Sequence, residues 1–512
     1  MIAFNNDMKS FCHLFLPIFL LNVLLFAEQR RVYFLQTTDI HSVLVEEEQE
    51  PSYGSFLRLG TLIREQRNRL GAERCLLIDC GDTIQGTLIA ALSGGEVGTA
   101  ALRALDYDVW VPGNHEFDFG LERFLELAEP MRPILLCGNL RAYDSPPFQA
   151  WRIEERNGVR IALIGMTASY MRYWLGEGFG AACMVEYAKT SLKRIFPDLL
   201  AVKPDMIVLA IHQAWEGRED PRQVNEVADI VEQFPEIDLV LGGHTHRSLP
   251  GHRIGPRSWY VQAGFAAKQL GLIEALVDIE NHRVLEINSQ LLELPPHYEE
   301  DPDMRRKLQP WLEMLDEARS KSIAPAPASD ILSKGRPGIN CQASELFCMA
   351  IAEASKADIV LHGVLSKKNF PAKVAISEQD IFDFVPYENN IITAYLNQEE
   401  LKEVILEQWN NRSSYTYSGV YGIKLKISES EQSVEFKDPE IGQKLDQRSL
   451  KLALNSFTAA GSGRYPKLRA ILLQKSSKRQ DSGISSRDAV RDYLQKHPGL
   501  KVKAQAWMQI SK

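Results

Sequence analysis

The sequence predicts an α/β fold class, and three observations lead to this interpretation. Between Arg31 and about Leu249, short runs of β-forming residues alternate with stretches of helical periodicity. These stretches have the length expected of crossovers between parallel strands. Clusters of Asp, Asn and His directly follow the strand-like runs, and this edge of an open parallel sheet is where ligands bind.

The first domain contains predicted strands and helices in alternation, followed by a β-rich end. The strands cover residues 32–36, 75–79, 109–111, 134–136, 161–164, 206–211 and 239–241. The helices cover residues 56–69, 98–105, 121–127, 187–196 and 224–233. The β-rich stretch at residues 259–294 has alternating apolar positions and completes the domain.

A linker and a smaller second domain follow. Pro295-Pro296 breaks the chain, and residues 301–321 predict a charged interdomain helix ended by Ala324-Pro-Ala-Pro. The second domain has a predicted helix at 343–355, strands at 358–361 and 450–455, and a loop at 476–486. The predicted division is a leader at 1–27, a first domain at 28–296, a helix and linker at 297–327, and a second domain at 328–512.

The first 27 residues predict a secretory signal, with an uncleaved anchor as the second interpretation and a buried core helix as the third. Lys9 precedes an uncharged stretch rich in Leu and Phe, which His13, Pro17 and Asn22 interrupt. We therefore expect export to a periplasm or to the cell exterior. A membrane contact is expected only through this segment, if it stays uncleaved.

Composition narrows the classes of partner. The content of 45% hydrophobic and 24% charged residues is typical of a globular protein. The formal net charge of −9 argues against a nucleic-acid polymer as partner. The seven cysteines form neither a CxxC pair nor a dense pattern, so a structural zinc site or a disulfide framework is not predicted; one disulfide stays open. The oligomeric state also stays open.

Five polar clusters at strand ends predict a two-metal hydrolase centre. Taken singly, each cluster also fits an ordinary turn, a helix cap or a polar strand end, but their joint occurrence at one sheet edge favours a site. Carboxylate, amide and imidazole groups suit divalent cations, and one carboxylate after a Gly turn can bridge two of them. The candidate ligands are Asp39, His41, Asp82, Asn114, His212, His244 and His246.

The segment Gly113-Asn-His-Glu-Phe-Asp118 contains a further pair of candidate residues. His115 is left to meet a substrate, and Asp118, three residues on, would hold its imidazole in one tautomer. We therefore predict His115 and Asp118 as catalytic residues.

These motifs, in this order, resemble those of the calcineurin-like metallophosphoesterases, and more closely the exported 5′-nucleotidase branch. That branch also includes 2′,3′-cyclic-nucleotide phosphodiesterases and UDP-sugar hydrolases. The resemblance covers residues 31–473 and implies a four-layer αββα catalytic domain followed by a smaller α/β substrate-specificity domain. Interdomain rotation about the linking helix is a further expectation from the resemblance.

The resemblance also implies two divalent cations, with Mn, Zn, Fe or Co all compatible with the ligand types. One would be held by Asp39, His41, Asp82 and His246, and the other by Asp82, Asn114, His212 and His244. The position of His212 departs mildly from the family, which has Ser-His-x-Gly where this chain has Ile211-His-Gln-Ala214.

The second domain departs further from the family's base-binding elements. The first reads His362-Gly-Val-Leu-Ser366 without its arginine, the second has Ile391 where an aromatic is expected, and the third has Gly463 in place of a ribose-binding Asp. Phe457 is the one base-clamp residue retained. Phe457 and Tyr387 are therefore the substrate-binding candidates. Arg464 is a further candidate contact, with ordinary surface packing as the alternative for it and for Tyr387.

The sequence thus predicts a metal-dependent hydrolase of phosphate esters, most closely a 5′-nucleotidase, acting on a small phosphorylated substrate with nucleotides as first candidates. One alternative keeps the centre and changes the substrate to a cyclic nucleotide, a nucleotide sugar or a sulfur ester. The other is a non-catalytic exported binding module.

Overall fold

The computed structural model describes residues 28–46, 53–142, 148–173, 183–216, 225–372 and 375–511. The predicted leader at 1–27 lies outside the described residues. None of the helices within the described ranges is long and apolar enough to cross a membrane.

The N-terminal domain alternates strands and helices as predicted. Its strands are β1 (Gln29–Thr37), β2 (Cys75–Asp79), β3 (Val109–Trp110), β4 (Leu140–Ala142), β5 (Trp151–Arg156), β6 (Val159–Met166), β7 (Cys183–Val185), β8 (Met206–Ile211), β9 (Leu239–Leu241), β10 (Ser248–Ile254), β11 (Ser258–Ala263), β12 (Gln269–Asp278) and β13 (Arg283–Glu293). Its α-helices are Phe56–Leu70, Leu88–Ser93, Glu96–Ala104, Leu121–Ala128, Ala188–Ala201 and Val227–Gln233, and short 3₁₀ helices occupy Ala72–Arg74, His115–Phe117, Glu129–Met131 and Ser169–Tyr173.

Two sheets form the centre of this domain. The first has the order β13-β12-β1-β2-β3 and the second the order β10-β11-β9-β8-β6-β5. In β1, Val32 and Phe34 pack against residues of the second sheet, whereas Leu35 faces helices. Helices cover the outer face of each sheet. The domain therefore has the four αββα layers that the family resemblance implied.

The interdomain helix spans Pro302–Ser320. Asp301 caps it by accepting a hydrogen bond from Met304 N at 2.7 Å, and Pro302 occupies the first helical position, where a missing N–H costs nothing. Met304, Leu308 and Leu312 pack into the core of the N-terminal domain.

The C-terminal domain is a smaller α/β unit. Its strands are β14 (Ser322–Pro325), β15 (Ile359–His362), β16 (Ala375–Ser377), β17 (Asn390–Ala394), β18 (Gly419–Tyr421), β19 (Leu425–Ser428), β20 (Ser433–Phe436), β21 (Leu452–Asn455), β22 (Gln480–Ser485) and β23 (Met508–Ser511), and the largest sheet has the order β18-β15-β21-β17-β22. Its helices are Gln342–Ser355, Glu378–Phe384, Gln398–Asn410, Pro439–Asp446, Ser456–Ala459, Pro466–Leu472 and Ser486–Lys496, with a 3₁₀ turn at Lys475–Ser477.

Two local predictions were wrong. Residues 476–486 are not a loop, because β22 pairs with β17 at the edge of the sheet through backbone hydrogen bonds that polar side chains do not prevent. Residues 134–136 form isolated bridges rather than a strand, since the bridge partners of Leu135 and Leu136 are Trp110 and Gln149. The six described cysteines are buried and free of disulfides: Cys75, Cys80, Cys137, Cys183, Cys341 and Cys348.

Candidate metal centre

Strand register brings the first two polar clusters together. In the parallel pair β1 and β2, Thr37 lies opposite Asp79, so the residues two positions beyond these strand ends are neighbours. The two loops are tied by hydrogen bonds from Asp39 N to Gly81 O and from His41 N to Asp82 O, both 2.8 Å long. Asp39, His41 and Asp82 therefore converge because of backbone pairing.

The second sheet contributes its ligands by the same register. Ala210 of β8 pairs with Leu241 of β9, so the chain just beyond these ends brings His212 beside Gly243 and His244. A Cβ atom on Gly243 would lie 2.4 Å from Thr38 Oγ1 and 3.2 Å from Asp39 Oδ2. Only glycine allows the two sheets' loops to approach this closely.

The seven candidate ligands form two groups that share one carboxylate. Ligand atoms of Asp39, His41, Asp82 and His246 all lie within 4.8 Å of one another, and those of Asp82, His212 and His244 do so as well. Asn114 joins the second group through its Oδ1 atom, 3.0 Å from His244 Nδ1. Asp82 is therefore placed to bridge two cations.

Within these groups the nitrogen and oxygen atoms point at one another. His41 Nε2 lies 3.0 Å from His246 Nε2, and His246 Nε2 lies 3.4 Å from Asp39 Oδ1. His212 Nε2 lies 3.0 Å from Asp82 Oδ2. Such crowding of lone-pair donors is the arrangement that a cation between them would stabilise.

Protonation and hydrogen bonding in the groups also fit divalent cations. Burial lowers the pKa of His41 and His244 to about 3 and that of His246 to about 4, so these imidazoles are neutral. His41 Nδ1 faces the Gln85 carbonyl at 2.9 Å, which leaves its Nε2 lone pair for a metal.

The imidazole of His212, like that of His41, is oriented by a backbone carbonyl oxygen at Nδ1. Its Nδ1 lies 2.6 Å from Cys80 O, while its buried Nε2 faces Asp82 Oδ2 at 3.0 Å. Burial disfavours its charge, but Asp82 outweighs burial and raises the pKa of His212 to about 9 in the protein alone. A cation at Nε2 would displace that proton.

His115 and Asp118 form a hydrogen-bonded pair beside these groups. His115 Nδ1 lies 2.7 Å from Asp118 Oδ2, and His115 N donates to Asp82 Oδ1 at 2.8 Å. The His115 and His41 ring centres are 5.3 Å apart. Burial opposes the imidazolium form, but Asp118 and Asp82 outweigh it and raise the pKa of His115 to about 10. In the protein alone, His115 is therefore protonated, and it lies at the edge of the candidate metal centre.

Five of the candidate ligands have left-handed backbone conformations. Their φ angles are 53° at Asp39, 54° at His41, 57° at Asp82, 77° at His244 and 56° at His246. Residues other than glycine rarely adopt these angles, and they concentrate at functional sites where the surrounding structure imposes them.

Sequence reasoning missed three residues of the centre. Glu116 is fully buried and accepts hydrogen bonds from the backbone N–H groups of Asp82 (2.8 Å) and Thr83 (2.6 Å). Tyr170 Oη lies 2.8 Å from Asn114 Oδ1, and Phe265 stacks on His246 with ring centres 4.7 Å apart. The signal for Glu116 was its position inside the Gly113-Asn-His-Glu segment, whereas Tyr170 and Phe265 have no sequence pattern that marks them.

The substrate-binding candidates line clefts between the two domains. Tyr387, 44% exposed, lines one pocket with His41, His115 and His246. Phe457 lines a second, larger cleft that reaches Asn114 and Asp118 of the N-terminal domain. Ile391, by contrast, is fully buried in the core and has no access to a ligand, so it does not take the place of a base-stacking aromatic.

Two family models match the chain. The calcineurin-like phosphoesterase model matches residues 32–248, and the 5′-nucleotidase C-terminal domain model matches residues 323–470. The chain is a calcineurin-like phosphoesterase with a 5′-nucleotidase C-terminal domain. The family and the fold class predicted from the sequence are thereby confirmed, and the enzyme class is that of a phosphate-ester hydrolase.

Individual relatives agree with this assignment. A 5′-nucleotidase of Vibrio cholerae is 23% identical in an alignment that covers 92% of this chain and 91% of that protein. A 2′,3′-cyclic-nucleotide 2′-phosphodiesterase/3′-nucleotidase of Haemophilus influenzae is 27% identical over 238 residues, 42% of this chain and 36% of that protein. A candidate 5′-nucleotidase structure from Staphylococcus aureus has the same fold, with a TM-score of 0.79 at 18% identity over 94% of this chain and 100% of that one.

Proposed function

We propose that this calcineurin-like phosphoesterase is a 5′-nucleotidase-type phosphohydrolase that works with two divalent cations. Asp39, His41, Asp82 and His246 would hold one cation, and Asp82, Asn114, His212 and His244 the other. The observation that carries the proposal is the sharing of Asp82 between two groups of ligand atoms, each within 4.8 Å. A full set of ligands at five strand ends also argues against the non-catalytic binding module.

Cations held there would supply a water molecule of lowered pKa and would neutralise charge on the phosphoryl oxygens. The chain's own contribution to bond cleavage would be His115, which lies at the edge of this centre and is hydrogen-bonded to Asp118. Its proton would pass to the leaving oxygen of the ester. Asp118 holds the imidazole through Nδ1, which directs Nε2 to the substrate.

The proposed substrate is a small phosphorylated molecule, with nucleoside 5′-monophosphates as the first candidates. Phe457 and Tyr387 support this, because both are aromatic side chains on the C-terminal walls of clefts that open onto the centre. Stacking of a base on such a side chain contributes about 1 to 3 kcal/mol. The relative from Haemophilus influenzae makes cyclic nucleotides the second candidate class.

We also propose that the protein acts outside the cytoplasm, in a periplasm or at the cell exterior. The support is the predicted leader at residues 1–27, in which Lys9 precedes an uncharged stretch rich in Leu and Phe. N-terminal sequencing of the protein from an exported fraction would show cleavage near Ala27, and a protein confined to the cytoplasm with Met1 intact would contradict it.

A substrate panel with metal analysis tests the proposed activity. The purified mature protein would be incubated with Mn²⁺ or Zn²⁺ and with adenosine 5′-monophosphate, 2′,3′-cyclic adenosine monophosphate, a UDP-sugar and p-nitrophenyl phosphate. We expect release of phosphate from the 5′-monophosphate, two bound metal ions per chain, and loss of activity after chelation. Two bound metal ions with no turnover of any phosphate ester would overturn the proposal.

A further inference from the structure

The larger interdomain cleft contains more than the proposed nucleoside contact. It has a volume of about 1140 Å³ and extends from Asn114 and Asp118 past Phe457 to a basic wall in the C-terminal domain. Lys475, Lys478 and Arg479 form that wall, here called the basic wall. One cleft therefore joins the candidate metal centre to three cationic side chains.

The Lys and Arg side chains of the basic wall have no acidic partner among the residues that the structure describes. None of the three side chains forms an ion pair or a side-chain hydrogen bond with another described residue. The acids that line the same cleft are engaged elsewhere. Asp118 binds His115, Glu388 pairs with Arg487 at 2.6 Å, and Asp481 accepts hydrogen bonds from Asn390 Nδ2 (3.0 Å) and Gly483 N (2.9 Å).

The basic wall is built on a fixed part of the backbone. Ser477, fully buried, donates its hydroxyl to Leu472 O at 2.9 Å or to Gln474 O at 2.8 Å, and its carbonyl accepts from Tyr395 N at 2.7 Å. Directly after it, β22 begins at Gln480 and pairs with Thr393 of β17. Lys and Arg side chains on a turn whose backbone is held by hydrogen bonds lose less conformational entropy on binding an anion than the same side chains on an unconstrained loop.

A second observation at this cleft points independently to a ligand. Ser462 lines the cleft and is only 6% exposed, yet its Oγ atom has no hydrogen-bond partner within the described part of the chain. A buried hydroxyl without a partner destabilises the protein, so a bound acceptor would recover that loss. A phosphate oxygen or a ribose hydroxyl has the required chemistry.

We propose that the leaving group of the substrate carries a second phosphate group, which the basic wall binds while the ester phosphate is hydrolysed at the metal centre. The inference rests on the proposed phosphohydrolase function and specifies its substrate class as bisphosphorylated. Water adds across the scissile P–O bond, so the products are inorganic phosphate and an alcohol that keeps the second phosphate. Lys and Arg side chains bind such dianions by charge-assisted hydrogen bonds.

Steady-state kinetics of the metal-loaded full-length protein test this inference. The probes are adenosine 5′-monophosphate and adenosine 3′,5′-bisphosphate, with the nucleoside product identified by mass. We expect kcat/KM for the bisphosphate to exceed that for the monophosphate by about tenfold, the worth of one charge-assisted contact. High salt should reduce this ratio, because the basic wall is solvent-accessible.

The variant Lys475→Gln/Lys478→Gln/Arg479→Gln should bring the ratio close to one, through a higher KM for the bisphosphate. Ser462→Ala should reduce the ratio in the same direction and by less. The matched control Lys424→Gln/Lys437→Gln/Lys444→Gln removes three exposed charges of the same domain outside the cleft and should keep the ratio. An unchanged ratio in the first variant, or an equal loss in the control, would overturn the inference. Failure to hydrolyse either probe or p-nitrophenyl phosphate would instead overturn the proposed function.

Discussion

The two domains differ in how closely they follow the family's motifs. In the N-terminal domain every predicted ligand is present, and backbone register between parallel strands brings the ligands together. In the C-terminal domain the sequence departs from the base-binding elements that the resemblance implied, and Ile391 lies in the core. The candidate metal ligands lie at strand ends, whose positions are set by the pairing of the strands. The candidate substrate contacts are side chains that can change without altering the fold.

The largest effect is expected from the carboxylate that both ligand groups share. Asp82→Asn removes one negative charge from the centre of the site, so bound metal and kcat should both fall. The fall in kcat should exceed the roughly 10²- to 10⁴-fold expected for loss of a general acid. Metal content by mass spectrometry and kcat at saturating substrate measure these effects.

Asp106→Asn is the matched control, because Asp106 is exposed and has φ 53°, close to the 57° of Asp82. Equal metal content and kcat in both variants would show that Asp82 does not bridge cations.

The second effect separates proton transfer from metal binding within the N-terminal domain. His115→Asn should lower kcat by roughly 10²- to 10⁴-fold while metal content stays at the level of the unmodified protein. The loss should be smaller with p-nitrophenyl phosphate, since its leaving group needs less protonation. A kcat unchanged with the nucleotide would remove His115 from the mechanism.

The third effect concerns Glu116, whose side-chain carboxylate holds the Asp82 loop by accepting hydrogen bonds from the backbone N–H groups of that loop. Glu116→Gln replaces charge-assisted hydrogen bonds to Asp82 N and Thr83 N by weaker ones. We expect metal affinity to fall about 10- to 100-fold, as for other groups that orient metal ligands. Titration of the metal-free protein with Zn²⁺ measures it. The exposed Glu122→Gln on the helix Leu121–Ala128 should bind metal like the unmodified protein, and an equal loss there would contradict the assignment.

The fourth effect belongs to the C-terminal domain. Phe457→Ala should raise KM for a nucleoside monophosphate by about 5- to 150-fold, the equivalent of about 1 to 3 kcal/mol of stacking. KM for p-nitrophenyl phosphate should change much less, because it has no base. A parallel rise of both KM values would show that Phe457 supports the structure rather than a base.

The smallest expected effect is a pH-dependent change in the free energy of unfolding of the C-terminal domain. His362 is buried and stacks on Phe347, and burial lowers its pKa from 6.5 to about 4. Between these pH values the unfolded chain binds more protons, so the stabilising contribution is complete above pH 6.5 and is lost as the pH falls to 4.

The loss due to His362 is at most about 3 kcal/mol in the free energy of unfolding. Urea unfolding at several pH values measures it, and His362→Gln should flatten the dependence, whereas the exposed His297→Gln should keep it. An unaltered slope in His362→Gln would assign the pH dependence to other groups.

Sequence reasoning located the centre because parallel strands end at one edge, so residues far apart in the chain become neighbours there. Asp39, Asp82 and His246 were therefore predictable from alternation and polar clusters. Tyr170 was not, because it reaches Asn114 from a short 3₁₀ helix whose position depends on tertiary packing. The strand β22 was missed for a related reason, since its polar residues pair through the backbone and have no apolar alternation.

The candidate metal ligands with left-handed backbone conformations combine a role in the site with a strained backbone. Each such residue costs about 1 to 2 kcal/mol relative to a right-handed or extended one. A Gly substitution at His244 or His41 would relieve that cost and abolish a ligand in the same step. Such a variant would accordingly be more heat-stable than the unmodified protein while it binds less metal.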